Sequence, residues 1–194
     1  MLMTPRSLSR LGARLLSIFL LAGCAGDAAA PTSPAAAVPK PSAALLGLLP
    51  VRGVTRAIPL ANDIAVSAVI GKNGGTITIP EAGLTLVVPP NAVSSDVKFT
   101  ATALAGRVVA YDFQPHGTKF AVPLKFTQDL RKTSLITALT APLLDGAYFA
   151  DDSSIDQKSG IALVSELLPA TIDLLRFRVG FDIRHFSGYL ISWH

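Results

Sequence analysis

The chain has 194 residues, 50% of them hydrophobic and 15% charged, with a formal net charge of +4 and a single cysteine. One cysteine excludes a disulfide framework. Arg6, Arg10 and Arg14 lie within residues 1–23, which hold no acid, so taking three charges from +4 leaves +1 for the rest. A nucleic-acid surface needs clustered Lys and Arg on the folded part, and no nucleic-acid partner is expected.

The opening MLMTPRSLSRLGARLLSIFLLAGC reads as an export signal. The three arginines make a positive n-region, and Leu15 to Ala22 make a short apolar h-region. A helix that crosses a bilayer takes roughly 20 apolar residues, so this run is expected to be cleaved rather than to span. Leu21-Ala22-Gly23-Cys24 resembles the lipobox of bacterial lipoproteins, in which small residues precede a cysteine that is acylated and becomes the first residue. The resemblance implies lipid on Cys24 as the link to a membrane, and Ala25 after it, in place of Asp, implies delivery to the outer membrane. Each acyl chain contributes about 0.8 kcal/mol per buried methylene, and two or more chains make the anchoring stable.

From Ala25 to about Pro50 the sequence is dominated by Ala and Pro. Pro31, Pro34, Pro39, Pro41 and Pro50 remove backbone donors and favour extended segments. This stretch reads as a semi-rigid linker of roughly 30 Å as a coil and at most ~80 Å if fully extended.

The remaining ~140 residues suffice for one domain. Strand-like runs follow one another: IAVSAVI, GTITIP, LTLVVP, VKFTATAL, VVAYDF, AVPLKFT, GAYFA, IALVSELL, LLRFRVGFDI and YLISW. Thr, Val, Ile and Phe at period two argue for strands. Gly71-Lys72-Asn73-Gly74-Gly75 predicts a tight hairpin. Pro89-Pro90-Asn91 and Pro115-His116-Gly117 predict strand ends, since proline cannot donate to a ladder. Short strands in this number predict an all-β antiparallel sandwich. The one helical candidate is DLRKTSLITAL, with Asp129 as its N-cap.

Motifs for turnover do not emerge. The run GKNGG lacks the Lys-Ser/Thr ending of a phosphate loop, and there is no His-Glu-x-x-His, cysteine pair or Gly-x-Ser-x-Gly. His116, His185 and His194 are too scattered for a zinc site, and His116 reads as a turn residue. Asp151, Asp152 and Asp156 lack the glycine and distal glutamate of an EF-hand loop, so they read as a solvated loop. Glu166, Asp173 and Asp182 stand isolated between apolar strands and offer no catalytic pair.

Three blocks resemble the ZU-five domain of ankyrins, netrin receptors, zona-occludens proteins and death-domain adaptors. Residues Ile70 to Pro80 resemble the family's glycine-rich hairpin. Gly83 to Val93 resemble its strand ending in Pro-Pro-Gly-Ala, with Asn91 where glycine is usual. Pro115 to Leu124 resemble its "P-x-G-x-x-F-x-x-P-V" block. Asn tolerates the left-handed conformation better than most residues, so Asn91 is a mild departure. The resemblance extends over about residues 64–194 and implies a β-sandwich for protein–protein contact without a cofactor.

Some members of that family cut themselves between Phe and Ser of a His-Phe-Ser sequence, and this chain ends DIRHFSGYLISWH. Carried over, Ser187 is the nucleophile on the Phe186 carbonyl and His185 the general base. Along a regular strand, residues two apart share a face with Cβ atoms roughly 6–7 Å apart, so attack requires a kink. Gly188 offers a place for one, although self-cleaving members often carry a bulky aromatic there. The competing expectation is a quiet structural pair: Phe181, Ile183, His185, Ser187, Tyr189, Ile191 and Trp193 along one core-facing row, with Asp182, Arg184 and Ser192 opposite.

The sequence therefore predicts a signal peptide (1–23), a lipidated Cys24 with an Ala/Pro linker (24–50) and a ZU-five-like sandwich (51–194). The expected role is a membrane-anchored lipoprotein of the cell envelope that presents a non-catalytic domain to an unknown protein partner. No cofactor, metal or small-molecule substrate is expected, and self-cleavage at Phe186-Ser187 is the alternative.

Overall fold

The computed structural model describes residues 47–137 and 144–193. The expected signal peptide (1–23), Cys24, nearly all of the expected linker (24–50) and His194 lie outside the described residues. The strands are β1 (Leu49–Gly53), β2 (Thr55–Leu60), β3 (Ile64–Ile70), β4 (Gly75–Ile79), β5 (Leu84–Val88), β6 (Val97–Ala103), β7 (Gly106–Val108) and β8 (Ala110–Gln114). There follow β9 (Lys119–Asp129), β10 (Leu144–Phe149), β11 (Ile155–Asp156), β12 (Ile161–Val164), β13 (Glu166–Pro169), β14 (Thr171–Asp173), β15 (Arg178–His185) and β16 (Gly188–Trp193).

Two antiparallel sheets carry the fold, as the period-two pattern predicts. The smaller runs β14-β15-β9-β5-β4. The larger runs β11-β12-β1-β16-β8-β6-β3, with β10 on β16 and β13 beyond it, while β2 and β7 form a separate pair. Strand β16 organises the larger sheet. Its whole length pairs with β10, from Phe149↔Gly188 to Leu144↔Trp193. Its other edge is shared end to end, Gly188–Leu190 with β8 and Ser192–Trp193 with β1.

Alternation along the strands builds two cores. Between the sheets, Leu84, Leu86, Phe126, Val179, Phe181 and Ile183 from the small sheet meet Phe99, Tyr111, Phe113, Tyr189 and Ile191 from the large one. The opposite parity of the same large-sheet strands, Ala110, Ala147, Phe149 and Leu190, packs with Val108, Ile155, Ala162 and Val164 into a second cluster. The middle of the large sheet is thus covered on both faces, and Gly188 to Ser192 are all buried. A strand buried on both faces loses the in/out alternation of a half-exposed one. That corrects the expectation for Ser192: it is buried, with Oγ 3.4 Å from the Asp145 carbonyl. Trp193, expected in the core, is 43% exposed, because the strand end outruns the sandwich and the ring lies 6.0 Å from the Arg52 guanidinium.

Arg56 fastens β2, which belongs to neither sheet. Its buried guanidinium lies 5.3 Å from the Tyr111 ring centroid and donates to the Ala110 carbonyl at 3.3 Å and the Ala82 carbonyl at 3.5 Å. Ala82 O also lies 2.9 Å from both Tyr111 Oη and Gln128 Nε2, with Gln128 Oε1 2.6 Å from Tyr111 Oη. Burial raises the Tyr111 phenol above its ordinary pKa, against the lowering effect of Arg56, and keeps it neutral.

Several local expectations are revised. Gly71 to Gly75 is not a hairpin: β3 and β4 belong to different sheets, so the turn carries the chain across the sandwich. Gly74 has φ +74, and a Cβ there would lie 2.3 Å from the Val88 carbonyl. The run IALVSELL divides at Ser165, β12 pairing with β1 and β13 with β10. Within DLRKTSLITAL, Leu130–Lys132 and Ser134–Thr137 are short 3₁₀ turns, and Asp129 caps the first by accepting from Arg131 N. The residues past Thr137 in that run lie outside the described ones. Asn91, at φ 63, occupies the left-handed conformation expected of it.

Gly188 is fixed by packing, since a Cβ would stand 2.2 Å from Phe149 Cε2. Gly188→Ala is expected to cost about 1–3 kcal/mol by overpacking. A thermal melt reads this as a lower Tm, partly restored when Phe149→Leu is added; an unchanged Tm refutes the constraint.

Candidate functional site

The expected row His185, Ser187, Tyr189 does not exist as one strand. β15 ends at His185 in the small sheet and β16 begins at Gly188 in the large one, so Phe186-Ser187 is a two-residue passage between sheets. A register shift between Ile183 and His185 on β9 precedes it. The bond therefore lies at a change of sheet and not within a regular strand.

Each residue of the passage is held differently. Phe186 enters the core, its ring centroid 4.6 Å from Phe99, 4.8 Å from Phe120 and 5.6 Å from Phe113. Its N–H donates to the Thr118 carbonyl at 2.9 Å, and its carbonyl accepts from Gly117 N at 3.0 Å. The Ser187 carbonyl accepts from Phe113 N at 3.0 Å, and its side chain is buried. His185 is half-buried and turned to Tyr189: Nδ1 lies 3.3 Å from Tyr189 Oη, and that hydroxyl donates to the His185 carbonyl at 2.7 Å. Tyr148 meets the imidazole edge-on at 5.2 Å. Burial pushes the Tyr189 phenol well above its ordinary pKa, and the charge of Glu166 adds to this. Among the described residues no hydrogen bond joins the His185 ring to Ser187 Oγ.

Gly117 explains how the Pro-His-Gly turn meets this site. It follows the cis Gln114–Pro115 bond and has φ +76, a conformation that glycine adopts without strain. Its N–H thereby faces the Phe186 carbonyl. His116 points elsewhere, with Nε2 2.5 Å from Asp112 Oδ1. Spacing in the sequence gives no hint of Tyr189, Tyr148 or Gly117 as neighbours of the histidine and the bond; only the glycine in the turn block was a visible signal.

His185 and Tyr189 open on a groove of about 990 Å³ beside β13, β14 and β15. Glu166, Asp173 and Asp182, isolated in sequence, all reach its lining. Asp182 pairs with Lys125 at 2.8 Å and Asp173 with Arg176 at 2.8 Å, so two of the three carboxylates are neutralised and make no acid/base pair. The hydrogen bond from Arg176 holds Asp173 below the usual carboxylate range. Asp151 and Asp156 are stabilised as anions by local bonds to Ser153 and Ser159. Asp152 is pushed up by burial and by neighbouring Asp112, Asp151 and Asp63. Among the described residues no group of three or more His, Cys, Asp or Glu side chains is arranged to hold a metal ion.

Residues 66–105 match the family model of the ZU5 domain. The matched segment covers most of β3 and all of β4, β5 and β6, and contains the whole of the first two resembling blocks but not the third. The domain is ZU5-like on this segment and on its sandwich fold. A search among curated proteins finds no match.

Tyr189→Phe removes the hydroxyl shared by the His185 carbonyl and ring. The loss is expected to be about 1 kcal/mol, measured by urea unfolding, with the slope unchanged. No change in midpoint would mean that water serves His185 equally well.

Proposed function

We propose that this protein is a lipid-anchored envelope protein whose ZU5-like sandwich binds another protein. The observation that carries the reading is the ZU5 match over strands of both sheets. The lipobox-like Leu21-Ala22-Gly23-Cys24 and the Ala/Pro stretch after it support attachment to the outer membrane at the end of a spacer. Interaction is the established use of this family, and two ion pairs, Lys125–Asp182 and Arg176–Asp173, join four of the charged side chains that line the groove of this chain.

A second reading is favoured by one feature, the placement of Phe186-Ser187 at the change of sheet with Gly117 N–H on the Phe186 carbonyl. In self-cleavage, Ser187 Oγ attacks the Phe186 carbonyl carbon and the C–N bond breaks. The hydroxyl proton passes through His185 to the released amine. Water then opens the ester, leaving a carboxylate on Phe186 and restoring the serine hydroxyl. The imidazole must first leave Tyr189 and turn toward Ser187. A hydrogen-bond donor on the carbonyl stabilises the negative charge that develops there. After such a cut β16 stays hydrogen-bonded to β10, β8 and β1, so the halves part only on unfolding.

Crosslinking in intact envelopes, followed by affinity capture of the full chain and of a chain ending before Leu49, is expected to give partners specific to the sandwich. Identical partner sets count against an interaction role. Intact mass under denaturing conditions separates the second reading: loss of the last eight residues in the unmutated chain but not in Ser187→Ala supports it, and two uncut chains remove it.

A further inference from the structure

The β14–β15 hairpin ends in Leu174-Leu175-Arg176-Phe177, closed by the pair Asp173↔Arg178. Leu174 is 57%, Leu175 93% and Phe177 41% exposed. Single exposed apolar side chains are ordinary, but three among four consecutive residues on a protruding turn form a patch. The fold does not ask for them. Phe177 sits at φ 53, where a bulky side chain is strained and Gly or Asn is not. The turn itself is held by other groups: Asp173 accepts from Arg176 N and Nη1, and the Phe177 carbonyl accepts from Leu130 N at 2.7 Å.

Cations surround the apolar tip. Arg176 and Arg178 flank Phe177, and the bond to Leu130 brings in the turn that carries Arg131 and Lys132. Asp129 and Asp173 are bonded to Arg131 and Arg176 respectively, and Glu81 lies on the turn whose Gly83 carbonyl accepts from Asp129 N, so four cations face three acids and the end of the hairpin keeps a positive excess.

We propose that this hairpin tip docks on the headgroup region of an anionic lipid bilayer. Leu174, Leu175 and Phe177 enter the boundary between headgroups and acyl chains, while the four cations remain at the level of the lipid phosphates. A protein partner is the poorer fit. A stable protein interface buries roughly 800 Å² on each side, and the three exposed apolar side chains of one four-residue turn present far less. A fluid, negatively charged surface accepts such a tip without a matching cavity. The contact does not depend on acylation at Cys24 and goes beyond the interaction role proposed for the sandwich.

The test uses the mature chain, residues 24–194 with Cys24→Ser, so that neither an acyl chain nor the basic apolar signal contributes. An environment-sensitive dye is placed at Leu175→Cys and, for comparison, at Val69→Cys on the β3 edge, where the native side chain is 68% exposed. Vesicles of phosphatidylglycerol and phosphatidylcholine are expected to shift the emission at position 175 to the blue and leave position 69 unchanged, with less effect from phosphatidylcholine alone. In flotation with the same mixed vesicles, Leu174→Ser with Leu175→Ser is expected to lower binding about tenfold, with an unchanged Tm because both side chains are exposed. An unshifted dye at 175, equal shifts at both positions, or binding that survives the serines overturns the proposal. A shift at 175 on raising protein concentration without vesicles also overturns it, in favour of a protein contact.

Discussion

The structure depends on burying its last strand on both faces. β16 lies between β10 on one edge and β8 with β1 on the other, with Tyr189 and Ile191 in the inter-sheet core and Leu190 in the second cluster. Residues far apart in the chain are thereby joined through one segment. Its tightness leaves no room at Gly188, where the Phe149 ring occupies the space of a side chain. The passage from β15 must therefore be short and turn sharply. Phe186 anchors it in the aromatic core, while backbone bonds to Gly117, Thr118 and Phe113 hold it from the neighbouring turn and strand.

A polar feature complements that apolar centre. Arg56, Tyr111, Gln128 and the Ala82 carbonyl share a buried set of contacts, which ties β2, the turn before β5, β8 and β9 together. A buried guanidinium bonded only to carbonyls and an aromatic face is costly to desolvate. Its contribution lies in position: it fixes a two-stranded flap that neither sheet retains through backbone pairing. On the surface, the Lys125–Asp182 and Arg176–Asp173 pairs lie in the groove, and three of the exposed apolar side chains, Leu174, Leu175 and Phe177, gather on one hairpin tip.

Much of the fold was legible in the residues. The alternation of IAVSAVI reproduces β3 over Ile64–Ile70, and Pro89 and Pro115 follow the ends of β5 and β8. Of the three blocks that suggested the ZU5 fold, the first two lie within the residues matched by its family model and the third, Pro115 to Leu124, lies beyond them. The short strands β1, β2, β7, β11 and β14 escaped notice because two to six residues carry too little pattern to be told from loop. The site was legible only as three letters. His185, Phe186 and Ser187 look like consecutive members of one strand, yet they end one sheet, enter the core and begin the approach to another. Tyr189 as the partner of the imidazole and Gly117 as donor to the Phe186 carbonyl depend on where that chain turns.

The sequence alone determined that the domain would be made of strands, where many of them end, and that Asn91 could take a left-handed turn, because side-chain periodicity and steric preference are local properties. It also carried the lipobox-like start and the Ala/Pro stretch, which need no fold to be read. Tertiary structure alone decided which strands share a sheet, that β3 and β4 lie on opposite sides of the sandwich, and that β16 is covered on both faces. The physical reason is that ladder hydrogen bonds join backbone groups common to all residues, so a strand's own side chains state that it pairs but not with which neighbour.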